Sequence, residues 1–248
     1  MSELDLDVGI PEGRRILVWD IETTDFKANF GHMLMWAAKF IGDDNIYYDT
    51  ISYNPDYGKT PLSMLDDRRI VESVIELINS ADAIVHHYGD RFDLRFVNTR
   101  ALEWGLEPPR PIATIDTWKV ARNHLAMTSN RLRTLAESFS DSQKGDIAKN
   151  EWKLAAHGDR KVLNKMLEYC IGDVLATEEV YLALRPLIRN HPYMGLAAEL
   201  PPDDGECPVC GSASTQSRGT RRTKCFVIRR RHCQSCGTWF DGARRKVR

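Results

Sequence analysis

The sequence predicts an α/β or α+β core followed by a small metal-stapled module. Three observations carry that reading. Short apolar runs of strand length alternate with longer segments on the helical period. Four of the six cysteines form two C-x-x-C pairs near the C-terminus, Cys207/Cys210 and Cys233/Cys236. The charge is also divided: of 34 Lys and Arg and 35 Asp and Glu in 248 residues, 11 bases and one acid, Asp241, lie from Cys207 onward, leaving 23 bases and 34 acids before it.

Taken in order, "RILVWDI" reads as a buried strand, and "MLMWAAKFIG" and "NIYYDTIS" as two more joined by the turn "GDDN", a meander of three strands. Ile70, Val71, Val74, Ile75, Leu77 and Ile78 then follow the helical period, and "ADAIVHH" returns as a short strand. A helix is expected over 94–104, a strand at "PIATID", helices around "TWKVARNHL" and "NRLRTLAESF", and a long helix over 160–189 that Gly172 threatens to interrupt. "RNHPYMGLAAELPPDDGE", rich in Pro, Gly and acids, lacks periodicity. The expected organisation is a body over 1–190, a linker over 191–206 and a cysteine module with a basic tail over 207–248.

The composition, 42% hydrophobic, suits a globular chain and excludes fibre or wholesale disorder. No apolar run approaches the roughly 20 residues that span a bilayer, and the acidic start "MSELDLDVGIPEG" is unlike a secretory signal. A cytoplasmic protein without membrane contact is therefore expected, and scattered cysteines fit a reducing compartment. A basic tail on an acidic body points to a polyanionic partner, nucleic acid first among them.

The first strand ends on acids. Asp20 and Glu22 share one strand face while Trp19 and Ile21 face the other. Two like charges on one face call for a cation, and hard oxygen ligands favour magnesium or manganese; taken alone, the segment fits equally a strand end emerging into solvent. Further acids add weight to the first reading. "HHYGDRFDLRF" places Asp93 at a helix start beside Phe92, and "EYCIGDV" puts Tyr169 and Asp173 four apart, on one helix face.

Together, D-x-E, F-D and Y-x-x-x-D in this order resemble the three motifs of the DEDD superfamily of 3′-to-5′ exonucleases, whose fold is a ribonuclease H-like mixed sheet flanked by helices. Tyr169 makes the chain similar to the DEDDy branch, since the histidine branch would need His where Glu168 stands. Supporting matches spread over 14–189: "DIETT", "FDLRF", "IDTWKVAR", "SNRLRTLAE", the Lys144-Gly145 pair and "LEYCIGDVLATEEVYLALRPL".

The resemblance implies two Mg2+ or Mn2+ ions about 4 Å apart on the scissile phosphate. Asp20 would bridge both ions, Glu22 and Asp173 would complete the first site, and Asp93 would hold the second, partly through water. Tyr169 would orient the attacking water beside Glu22, Thr23 would contact the terminal nucleotide, and Phe26, where the family often has Leu, would wedge against the last base. Two departures stand out: Tyr88 replaces an Asn of the family's second motif and Asp25 a frequent Gly. Asp90 is an extra acid near Asp93, which is preferred as ligand because Phe92 precedes it. His86 and His87 are expected to pack and hydrogen-bond, and Asp116, closing another strand, to support the ligands.

In the tail, four thiolates from Cys207, Cys210, Cys233 and Cys236 would close a tetrahedron, so one Zn2+ there would be structural. Such a short segment cannot build an adequate core, and metal binding would supply on the order of 10 kcal/mol. The ending "RRHCQSCGTWF" resembles that of zinc ribbons. Cys225, in an expected ribbon strand, and Cys170, on the helical stripe, are read as packing residues, and Trp239 and Phe240 as packing the ribbon more than stacking on a base.

The expected activity is release of nucleoside monophosphates from single-stranded 3′ ends, DNA favoured over RNA, with a polymerase or replication partner in trans if the task is proofreading. A structure-selective endonuclease on the same fold and a catalytically silent nucleic-acid-binding adaptor are the alternatives.

Overall fold

The structure, a computed structural model, describes residues 15–57, 59, 66–140, 147–188 and 205–246. The acidic leader, the Lys144-Gly145 pair and nearly all of the expected linker lie outside these residues. The described residues fall into two compact units, 15–188 and 205–246.

In the first unit, β1 (Ile16–Thr23), β2 (Met33–Phe40) and β3 (Ile46–Thr50) form the expected antiparallel meander. Chain reversal through the helix α1 (Arg68–Ser80) returns β4 (Ala83–His86) parallel to β1, and α2 (Asp93–Glu103) leads to β5 (Ala113–Asp116), parallel to β4. The result is a five-stranded mixed sheet, order β3-β2-β1-β4-β5, with helices packed against it. β1 is central, and all its residues except Asp20 are fully buried. That accounts for an unbroken apolar run where a half-solvated strand would alternate.

The helices α3 (Thr117–His124), α4 (Leu132–Phe139), α5 (Lys149–Ala156) and α6 (Arg160–Leu184) follow. Asp159 caps α6 by accepting from the Lys161 and Val162 amides, and the helix runs through Gly172 without interruption. Its stripe of Leu163, Met166, Cys170, Val174, Tyr181 and Leu184 is buried, and α6 packs on β1 and β2. Lys39 of β2 donates to Glu178 of α6 at 2.6 Å with both side chains largely shielded, which ties the helix to the sheet.

A buried ionic knot fixes the loop after β1. Asp67, fully shielded, accepts from Arg100 at 2.5 Å, from the Trp104 indole at 2.7 Å and from the Met33 amide at 2.7 Å, while Arg100 also reaches the Ala28 carbonyl at 3.4 Å. Among the described residues no helix is long and apolar enough to cross a membrane.

The second unit is a three-stranded antiparallel sheet of β6 (Thr215–Arg222), β7 (Phe226–Cys233) and β8 (Trp239–Lys246), with one cysteine pair in the turn before β6 and the other spanning the end of β7 and the turn to β8. Two sequence expectations change here. Cys225 lies in the tight β6–β7 turn and not in a strand. Trp239 is 51% exposed, with the His232 ring 4.8 Å away its ring neighbour among the described residues.

Candidate active site

The ladder between β1 and β4 spans only Ile16 to Val18, so the second half of β1 runs on past its parallel neighbour. Asp20 and Glu22 sit on that overhang, and the β1–β2 register slips between Glu22 and Thr23. Open α/β sheets place ligand crevices beyond the carboxyl ends of their parallel strands. The overhang leaves β1 amides without a strand partner on one side, and the Asp93 carboxylate accepts from the Ile21 amide in that gap. Asp93 is the first residue of α2, where its own amide and the helix N-terminus also favour its charge. Burial nevertheless dominates and pushes its carboxyl up to about 6.

From the other side α6 delivers Tyr169, Cys170 and Asp173. One oxygen each of Asp20 and Glu22 and the Cys170 sulfur lie within 4.8 Å of one another. Cys170 Sγ is 3.7 Å from both a side-chain and the main-chain oxygen of Asp20. Burial first, then the charges of Asp20, Glu22, Asp173 and Asp93 in turn, raise the Cys170 thiol well above its ordinary value. This buried thiol therefore lies within the electrostatic reach of all four carboxylates, Asp20 and Glu22 being the two grouped with it. The Tyr169 phenol is likewise raised, by burial and then by Asp173, Glu22 and Asp20, and it hydrogen-bonds to Asp173.

Glu22, Asp93 and Asp173 are each at most 8% exposed. Several anionic oxygens in so dry a place repel one another unless cations sit among them, and an all-carboxylate set suits hard divalent ions. Cys170 is buried on the stripe as expected, but its place beside the acids is what the sequence reading did not foresee. It falls on the apolar stripe of α6 and reads there as packing, although its spacing three before Asp173 places it on the same face.

The other expected residues are placed as follows. Thr23 is buried, and its hydroxyl donates to the Asp25 carbonyl at 2.8 Å. Phe26 is 85% exposed and meets Phe92 edge-on at 6.0 Å. Asp90 lies apart from the Asp20 and Glu22 pair, in a group with His86 and Asp116. Burial alone would raise its carboxyl, but hydrogen bonds from His86 and Lys119 outweigh that and hold it well below the usual range. His87 hydrogen-bonds to Thr117, and Asp116 caps α3 by accepting from the Trp118 and Lys119 amides.

The four tail cysteines also converge, their sulfurs within 4.8 Å, with Cys207–Cys236 and Cys210–Cys233 at 3.6 Å. Bonds of about 2.3 Å to a tetrahedral zinc place sulfurs about 3.8 Å apart, so the set fits this ion. The Thr238 hydroxyl and amide pull the Cys236 thiol down to about 6, while at Cys210 the pull of the Ser212 amide is outweighed by the crowding of Cys236, Cys233 and Cys207, which pushes that thiol up to about 12. The cluster fits a zinc ribbon.

The five-stranded sheet with acids at the end of its central strand defines an RNase H-like domain. The chain belongs to the RNase_H superfamily, whose family model matches residues 17–185. Over 137 residues it is 27% identical to a PolC-type DNA polymerase III of Ureaplasma parvum serovar 3, matching half of this chain and 9% of that polymerase's length. The family B DNA polymerase of the hyperthermophilic archaeon Pyrobaculum calidifontis superposes with a TM-score of 0.56 at 17% identity, covering 70% of this chain and 25% of the polymerase; this likeness is one of fold.

Proposed function

We propose that the chain is a DEDDy-type 3′-to-5′ exonuclease that releases nucleoside monophosphates from single-stranded nucleic acid ends, DNA favoured over RNA. In this reading residues 1–190 form the exonuclease domain and 207–248 a zinc ribbon with a basic tail. The observation that supports it is the grouping of Asp20 and Glu22 with Cys170 at the end of β1, with Asp93 and Asp173 near enough to act on the same thiol and the Tyr169 phenol hydrogen-bonded to Asp173.

Asp20 would be shared by two Mg2+ or Mn2+ ions, Glu22 and Asp173 would complete one site, and Asp93 would serve the other. When bound, the ions polarise the scissile phosphate and lower the pKa of the attacking water. Tyr169, kept protonated by burial and three nearby carboxylates, positions that water and does not take its proton. Phe26, projecting beside Phe92, wedges against the terminal base, and Thr23 lines the nucleotide's site from the strand end. In the ribbon, the exposed Trp239 under Arg230, at 5.1 Å, offers a stacking surface among basic strands, so it assists retention on single strands. The polymerase relatives support a task beside a polymerase acting in trans.

An end-labelled single-stranded oligonucleotide with Mg2+ or Mn2+ tests this. Stepwise shortening from the 3′ end, lost with chelator and with Asp20→Ala, is expected. Cutting of a covalently closed single-stranded circle would instead support the endonuclease, and binding without any degradation the silent adaptor.

A further inference from the structure

Tyr88 is the one non-glycine residue with positive φ among the described residues, at 67°. A bulky side chain in the left-handed region is strained, and such strain persists only where the surroundings impose it. They do so here from both sides. Asp116 accepts from the Tyr88 amide at 3.0 Å, and the Tyr88 carbonyl accepts from the Arg91 amide at 3.0 Å. Gly89 is pressed on His86 so closely that a Cβ there would stand 2.4 Å from the imidazole. The loop is thus locked, and it holds the phenol ring 40% exposed.

The ring is not isolated. It meets Trp118 edge-on at 5.1 Å, Arg91 lies over both rings at 5.9 and 5.5 Å, and Arg122 lies over Trp118 at 5.3 Å. Asp116, which fixes Tyr88, also caps the helix that carries Trp118 and Arg122, so one carboxylate sets both halves. Asp93 follows Tyr88 by five residues, as the first residue of the helix that this loop leads into. Aromatic faces with guanidinium groups, on a body whose charge is otherwise mostly acidic, match a strand of unpaired bases and phosphates.

We propose that Tyr88 and Trp118, with Arg91 and Arg122, form a preorganised platform on which one unpaired base of the substrate strand stacks near the carboxylate site. The proposal rests on the nuclease reading, and the test separates the two. Binding is measured for the full chain carrying Asp20→Ala, in Mg2+, to single-stranded oligodeoxynucleotides with one abasic site stepped inward from the 3′ end. One position is expected to weaken binding about 10-fold, within the range of a lost base–aromatic stack. Tyr88→Asn, which suits the left-handed backbone, should weaken the intact oligonucleotide about 10-fold and erase that positional dip, while Tyr88→Phe keeps it. A dip that survives Tyr88→Asn, or no dip at all, overturns the platform. Cleavage by the chain with Asp20 intact is scored separately. Shortening with a Tyr88-independent profile defeats the platform alone, and a Tyr88-dependent profile without shortening supports the platform and defeats the nuclease reading.

Discussion

Asp93 shows how far a single buried charge depends on its surroundings. Its carboxyl is pushed from 3.8 up to about 6, so the folded chain without metal holds a proton that the unfolded chain has already released between those values. Stability of the metal-free protein should therefore fall as pH rises from about 4 to 6 through this group. Added Mg2+ or Mn2+ should raise the melting temperature at pH 7.5 and much less at pH 5, where the proton competes; equal gains at both would contradict the assignment. Asp93→Asn and Asp20→Ala are each expected to lower cleavage by more than the ~10–100-fold typical of a lost outer-sphere partner. Tyr169→Phe should cost about 10–100-fold, read in single-turnover assays with unchanged melting. At this scale the sequence was informative where alternation or a short spacing carries the signal, as with Asp20 and Glu22 on one strand face. It marked Cys170 as a packing residue, which its full burial bears out, but not the β1 carbonyl and carboxylate that the fold sets beside its thiol.

Among the elements, α6 and the loop after β1 aim the site. Gly172 sits inside α6 with open space where a Cβ would be, so Gly172→Ala should stabilise the protein by about 0.5–1 kcal/mol in denaturant unfolding. Asp67→Ala would leave the Arg100 guanidinium, the Trp104 indole and the Met33 amide without their acceptor in a dry place. It should cost about 3 kcal/mol or more. The strand meander and the amphipathic α1 were legible because their periods of two and 3.6 are clear. The helix α5 was not recognised: "KNEWKLAA" offers only Ala155 to the buried core, with Trp152 half-shielded, too little to mark a stripe. Gly172 also misled, since a 25-residue helix clamped to the sheet by Lys39 and Glu178 outweighs the ~1 kcal/mol that one glycine costs.

For the whole molecule, the cysteine spacing sets a prediction for the second unit. Stripping metal from the thiolates should expose 205–246 to limited proteolysis while 15–188 stays resistant, since the small sheet lacks an adequate core of its own. Exposure of Trp239 could not be read from sequence, because the cysteine spacing does not say which face of a ribbon strand is covered. The claim on which the account turns is that four carboxylates distant in sequence hold a pair of divalent ions. Electron paramagnetic resonance of Mn2+ titrated into the zinc-loaded full chain with nucleoside monophosphate present measures it directly. Two bound ions in the wild type and fewer in Asp20→Ala are predicted; a wild type that takes up no Mn2+, or an Asp20→Ala titration identical to it, would contradict the account.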